Sequence, residues 1–168
     1  MKPALLRALL FTAVYSGASY GQVFCTVDKT VCPAACDSTT IAGALALVPN
    51  PLTGYSCVVI KNSATYNEQI LVQNFTTAGS SLTIMMDPAL SVHPILAPPG
   101  GSGSAVRIIN SNVNIFNIDI KPANSISYGV FASSSFVRIS SVNVDSGGHI
   151  TAAGIAIISS STISYSSV

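Results

Sequence analysis

Six carboxylates and two imidazoles are the groups in this 168-residue chain whose chemistry matters first. The acids are Asp28, Asp37, Glu68, Asp87, Asp119 and Asp145. Asp119 and Asp145 form the pair whose spacing could do chemistry. They share an outward face if the chain returns on itself about every two dozen residues. Paired carboxylates cleave glycosidic bonds or help to hold calcium. An arginine beside them would serve an acidic substrate, but Arg107 and Arg138 fall out of register with the pair. Arg107 falls near Phe131 and Arg138 near Asn114. His149 follows Gly147 and Gly148 in the widest inter-turn loop and offers an imidazole that changes charge near neutral pH. Asp119, Asp145 and His149 are therefore the candidate ligand-binding residues, and none is assigned a catalytic role. The plainer reading is that the aspartates are solvated corner residues and His149 a solvated loop histidine. His93, between Val92 and Pro94, shares that plainer reading. Glu68, after Tyr66, reads as a structural turn carboxylate. The triplets 133–135 and 159–161 are all serine and stack as ladders, with no base visible to activate a nucleophile. Asn74-Phe75-Thr76 is a glycosylation sequon that matters only in a eukaryotic secretory pathway.

Cys25, Cys32, Cys36 and Cys57 complete the reactive inventory. Cys32-x-x-x-Cys36 is not the spacing of a redox pair or a zinc knuckle, and no histidine lies near it. No metal and no cofactor are expected. In an exported chain four cysteines suggest two disulfides, with three pairings open. Their use would be to staple the leading segment to the first strand, which holds Cys57.

The elements that would position these groups come from a repeat. Residues 104–120, 128–144 and 153–168 are three copies of one pattern. Val106, Val130 and Ile155 are equivalent, as are Val113, Val137 and Ile163. The steps are 24 to 26 residues, which means a solenoid whose units cannot bury their apolar faces alone. Within a copy the apolar residues alternate: Val113 and Ile115, then Ile118 and Ile120. That is strand spacing, not the 3.6-residue period of a helix. The expected fold is all-β: a right-handed parallel β-helix of about four coils. Its inward ladders would run Val113 on Val137 on Ile163, and Ile115 on Ile139 on Tyr165. Serine and asparagine mark corners.

Charged residues make up 8% of the chain and hydrophobic ones 49%, with no tryptophan. Without Lys2 and Arg7, five basic residues stand against six acidic ones. No basic stripe exists, so nucleic acid has no electrostatic footing as a partner. Residues 1–21 read as a secretory signal: Lys2 and Arg7, a mostly apolar run from Ala4 to Val14, then small residues for cleavage. The run is too short to span a bilayer, so the membrane enters only through export. Residues 22–38 are a Cys-rich leader, and 39–168 the β-helix domain, which we expect to continue beyond Val168. Residues 37–40 offer several helix N-caps. Ile41, Ala44, Leu45 and Val48 then share a helical face, and Pro49-Asn50-Pro51 ends it. This short N-terminal helix is expected to cap the first coil. Strands are expected at 57–61, 70–73, 81–86 and 95–96.

From Thr39 to about Pro99 the chain resembles the opening of pectinesterase-like (pectin lyase-like) right-handed β-helix proteins. The matching pieces are residues 40–45, 58–61, 64–68 and 82–84, with a weaker match at 118–124. The catalytic motifs of that family have no counterpart. Tyr128-Gly-Val-Phe-Ala132 replaces a glutamine motif, and residues 145–149 stand where a Gln-Asp motif belongs. A broader likeness is to secreted bacterial β-helix repeat proteins of surface or adhesin type. The resemblance implies a secreted or cell-surface, non-catalytic protein. It would present a Ser/Asn/Thr-rich face to a polysaccharide or a host or cell surface. The alternative is the N-terminal part of a polysaccharide-active esterase or lyase whose active residues lie beyond Val168.

Overall fold

The computed structural model describes residues 25–75, 79–158 and 161–164. It is a parallel β-solenoid of about five turns with one short helix. The signal segment 1–21, the third sequon residue Thr76, Ser159, Ser160, Tyr165 and the three residues at 166–168 lie outside the described residues.

Strand β1 (Val27–Val31) is followed by helix α1 (Ile41–Ala46), β2 (Ser56–Ile60), β3 (Thr65–Tyr66) and β4 (Ile70–Gln73). Then come β5 (Leu82–Met86), β6 (Ile95–Leu96) and β7 (Ser104–Ile109). The repeats supply β8 (Asn112–Ile120), β9 (Ile126–Ser133), β10 (Phe136–Val144), β11 (Ile150–Ile158) and β12 (Ser161–Ser164). One sheet stacks β1-β2-β5-β8-β10-β12 and a second β4-β7-β9-β11. A third, narrower face stacks β3 on β6 on the second half of β8. All the strand pairs among the described residues are parallel.

Valine and isoleucine recur at every second position because one side of each strand faces the interior. Successive rungs place Ile84, Ile115 and Ile139 in one column, and Leu82, Val113 and Val137 in the next. On the second sheet the columns are Ile70–Val106–Val130–Ile155 and Val72–Ile108–Ala132–Ile157. On the third face they are Leu96–Ile120–Val144. Each of these side chains up to the rung of β9 and β10 is sealed from water. Burying one such side chain contributes about 1.5–3 kcal/mol.

Corners need backbone that turns the wrong way for most L-residues. Asn74, Asn110 and Ser134 adopt left-handed φ of 60°, 47° and 52°. Asparagine and serine tolerate this conformation best among residues with a side chain. A second set, Asn117 and Ser141 with φ of 56° and 55°, bends β8 and β10 so that each serves two faces. The corners are then tied along the axis. Asn110 Nδ2 donates to Asn74 Oδ1, and the Ser111 amide donates to Ser135 Oγ. One glycine is forced by space rather than by φ. A Cβ on Gly129 would sit 2.5 Å from the Gly154 carbonyl oxygen and 2.6 Å from Val144 Cγ1.

The N-terminal end is closed. Thr40 caps α1, its Oγ1 accepting from the Gly43 amide at 3.0 Å. Glu68 Oε1 and Oε2 accept from the Ile41 and Ala42 amides, each at 2.8 Å. Three of the amides that a helix start leaves unpaired are thus satisfied. Glu68 is the structural carboxylate its sequence position implied. Ile41, Ala44, Leu45 and Val48 are buried, and α1 packs against β1, β2 and β4. Beside it, residues 32–38 fold back on β1. The Thr30 amide donates to Asp37 Oδ2 at 2.8 Å, and the Ser38 amide donates to the Thr30 carbonyl at 3.1 Å. That fold-back occupies outer-edge backbone groups which would otherwise invite another strand. The Thr30 amide and hydroxyl, with Lys29 beyond them, hold the Asp37 carboxyl below the usual aspartate range.

The disulfides are Cys25–Cys57 and Cys32–Cys36. The first staples the leading segment to β2, as anticipated; the second closes the fold-back loop. Two expectations change. The turns number about five rather than four, because the leader contributes β1, which pairs Val27–Val31 with Ser56–Ile60. In the last rung Ile163 pairs with Ile139, and Ser161 stands at the register position of Val137. The expected ladder from Val137 to Ile163 is therefore displaced by two residues. A two-residue shift keeps a strand's alternation, so the apolar pattern does not expose it.

Candidate functional site at the third-face corner

Asp119 lies on β8, between Ile95 of β6 and Asn143 of β10 in the rung register. The inward neighbours Leu96, Ile120 and Val144 turn it toward solvent. Its half-buried carboxylate has partners on both oxygens. His93 Nδ1 is 2.9 Å from Oδ1, and Lys121 Nζ is 3.9 Å from Oδ2. The Asp119 amide also donates to the Pro94 carbonyl at 3.0 Å. His93 is therefore tied to the rung by side chain and by its own neighbour, and is not a freely solvated loop residue. His93 lies two residues before Ile95, the rung partner of Asp119. Residues 87–94 lie outside the repeat, so no spacing in the sequence signals this contact.

The next corner position stacks Ala97, Lys121 and Asp145. Each amide donates to the rung before it: Ala97 to the Tyr66 carbonyl, Lys121 to Leu96, and Asp145 to Ile120. Lys121 thus stands one rung from Asp145 and two residues from Asp119. Asp145 is exposed, and its Oδ1 accepts from the Gly147 amide at 3.3 Å, an Asx turn that starts the loop. His149 ends that loop. Its amide donates to the Ser146 carbonyl at 2.7 Å, and its carbonyl accepts from Ile126 at 2.9 Å. The fold brings Asp119 and Asp145 to one corner of adjacent rungs and sets His149 at the far end of the loop that Asp145 opens.

A hydrolytic pair needs one carboxyl free to protonate a leaving group and another free to attack or to activate water. Asp119 is instead committed to an imidazole and an ammonium. A comparable pair one face away joins Lys61 Nζ to Asp87 Oδ2 at 3.1 Å. The Ala89 amide holds the Asp87 carboxyl below its ordinary range against a smaller opposing effect of burial, with Lys61 adding to the depression.

Elsewhere, Cys25, Asp28 and Cys57 bring two sulfurs and a carboxylate within 4.8 Å of one another. The two sulfurs are bonded to each other, so they offer no thiolate. Sequence reasoning also passed over the solvent face of the second sheet. There Tyr128 and Phe131 place their ring centroids 5.1 Å apart. On the first sheet Arg138 lies 5.4 Å from the centroid of the Phe116 ring, a cation–π contact.

No helix among the described residues is long and apolar enough to cross a membrane. The two disulfides fit an oxidising compartment. No family model, curated protein or solved structure matches this chain.

Proposed function

We propose that this chain is a secreted or cell-surface right-handed β-helix protein that binds glycans or attaches to surfaces without turning its ligand over. The observation that carries the reading is the state of Asp119. Both of its carboxylate oxygens are engaged, one by His93 and one by Lys121, so one member of the most favourable acid pair is already committed to protein cations. The stapled N-terminal end supports an extracellular setting, where disulfides persist. The Ser, Asn and Thr corners offer hydroxyl and amide groups at rung spacing, about 4.8 Å, along the axis. The likeness of residues 39–99 to pectinesterase-type β-helices belongs to this reading as fold and surface, without their activity.

The test uses the purified, oxidised chain against a panel of insoluble plant and microbial polysaccharides. Co-sedimentation reports binding, and reducing-end and ester-release assays report turnover. Binding without product is the expected result. Product release from any polysaccharide, abolished by Asp119→Asn, would return the chain to the esterase or lyase class. Absence of binding across the panel would remove the glycan reading.

A further inference from the structure

From the solvent face of the second sheet we infer a stacking platform for a linear glycan laid along the solenoid axis. The inference rests on the glycan-binding reading above and names the surface that performs it. Leu71, Arg107, Phe131 and Ala156 occupy one register column across β4, β7, β9 and β11. They alternate with the sealed positions Ile70, Val106 and Val130, so they point outward. Leu71 is 48% exposed. Tyr128, half-buried three residues before Phe131, brings its ring beside that of Phe131, with centroids 5.1 Å apart. The two rings meet at an interplanar angle of 41°, forming a single aromatic surface.

The electrostatics of the face select the ligand. Among all the residues of β4, β7, β9 and β11, Arg107 is the one charged side chain. It has no ion-pair partner among the described residues. A guanidinium offers five N–H donors in a planar fork, and here it stands one rung from an aromatic ring. A pyranose matches that combination. Its C–H face packs on the rings as other apolar groups do, and its hydroxyls accept from the fork.

The area argues against a protein partner. Four rungs span about 14 Å, and six strand residues about 20 Å. The resulting patch, about 280 Å², is well below the roughly 800 Å² per partner of a stable protein interface. It suits an extended oligosaccharide.

The experiment titrates the oxidised chain with cellohexaose, xylohexaose and mannohexaose by calorimetry. Variants Tyr128→Leu and Phe131→Leu keep apolar bulk and remove the ring face; Arg107→Gln keeps hydrogen bonding and removes the charge. At least one hexasaccharide is expected to bind. Each leucine variant should weaken it ten-fold or more, and Arg107→Gln several-fold, with melting temperatures unchanged. Unaltered binding in both leucine variants overturns the platform. If Asp145→Asn or His149→Ala abolishes that binding instead, the platform falls and glycan binding moves to the third-face corner. If the parent chain binds none of the three while still sedimenting with a polysaccharide, the platform falls and the wider reading stands.

Discussion

The two ends of the described solenoid are built from the same kind of rung and treat it differently. At the first, α1 lies over the interior, residues 32–38 occupy the edge of β1, and two disulfides tie the leading segment to β2 and close the fold-back loop. At the rung of β11 and β12 the inward column positions Ile155 and Ile157 are only half-buried. One rung earlier, Val130 and Ala132 are sealed. The difference teaches that burial here is a nearest-neighbour property. Among the described residues, a side chain at a given column position is sealed where described rungs lie on both sides, or where a cap replaces one of them.

Paired truncations sharpen this contrast most. Ile115→Ala, mid-stack and fully enclosed, should cost about 2–5 kcal/mol, whereas Ile155→Ala should cost less than half as much. Urea midpoints of the two variants measure the ratio, and equal losses would break the nearest-neighbour view. Next in size are the staples of the closed end. Loop closure predicts about 4 kcal/mol for losing Cys25–Cys57, which spans 32 residues, and about 2 kcal/mol for Cys32–Cys36, which spans 4. Melting of the Cys57→Ser and Cys36→Ser chains, each with its partner cysteine also changed to serine, tests that order.

How much of this was legible follows from the same columns. Val106, Val130 and Ile155, and Val113 with Val137, were readable because β-branched residues recur at one step with strand alternation inside each copy. The last rung was misplaced by two because Ser161, not an apolar residue, stands at the Val137 position, and alternation is blind to an even shift. Strand β1 was hidden because Asp28 and Lys29 break its apolar pattern, and its pairing with β2 is visible only in space. At the candidate site, the shared corner of Asp119 and Asp145 was legible from the repeat. The engagement of Asp119 by His93 was not, since residues 87–94 leave the repeat and no copy reports where His93 returns.

Acid provides a smaller test of the closed end. Asp37 and Asp87 have folded-state carboxyls held below their ordinary value. Such groups stabilise fully above the unfolded aspartate pKa, near 4, and lose that contribution as pH falls through the folded value. Stability should therefore decline below about pH 4. Asp37→Asn should flatten part of that decline and speed hydrogen exchange at the Thr30 amide. A slope unchanged in the variant would detach the carboxylate from the edge. The smallest effect carries the opposite sign. Ser56 Oγ is buried without a hydrogen-bond partner at the position below Leu82. Ser56→Ala should leave the melting temperature level or raise stability by up to about 1 kcal/mol. A clear loss would reveal a partner for that hydroxyl.

The corner stacks carry a consequence for how such a molecule changes length. Asn74, Asn110 and Ser134 perform the same backbone manoeuvre, and the strands around them meet in constant phase. Excising one whole period, residues 112–135, would deliver Val137 to Leu82 and Ile139 to Ile84, matches as good as those removed. Removing a single residue within a strand would instead turn its apolar set outward. Duplication and loss of complete periods are therefore the gentle edits for this architecture, and its reach can be lengthened or shortened without redesigning its interior.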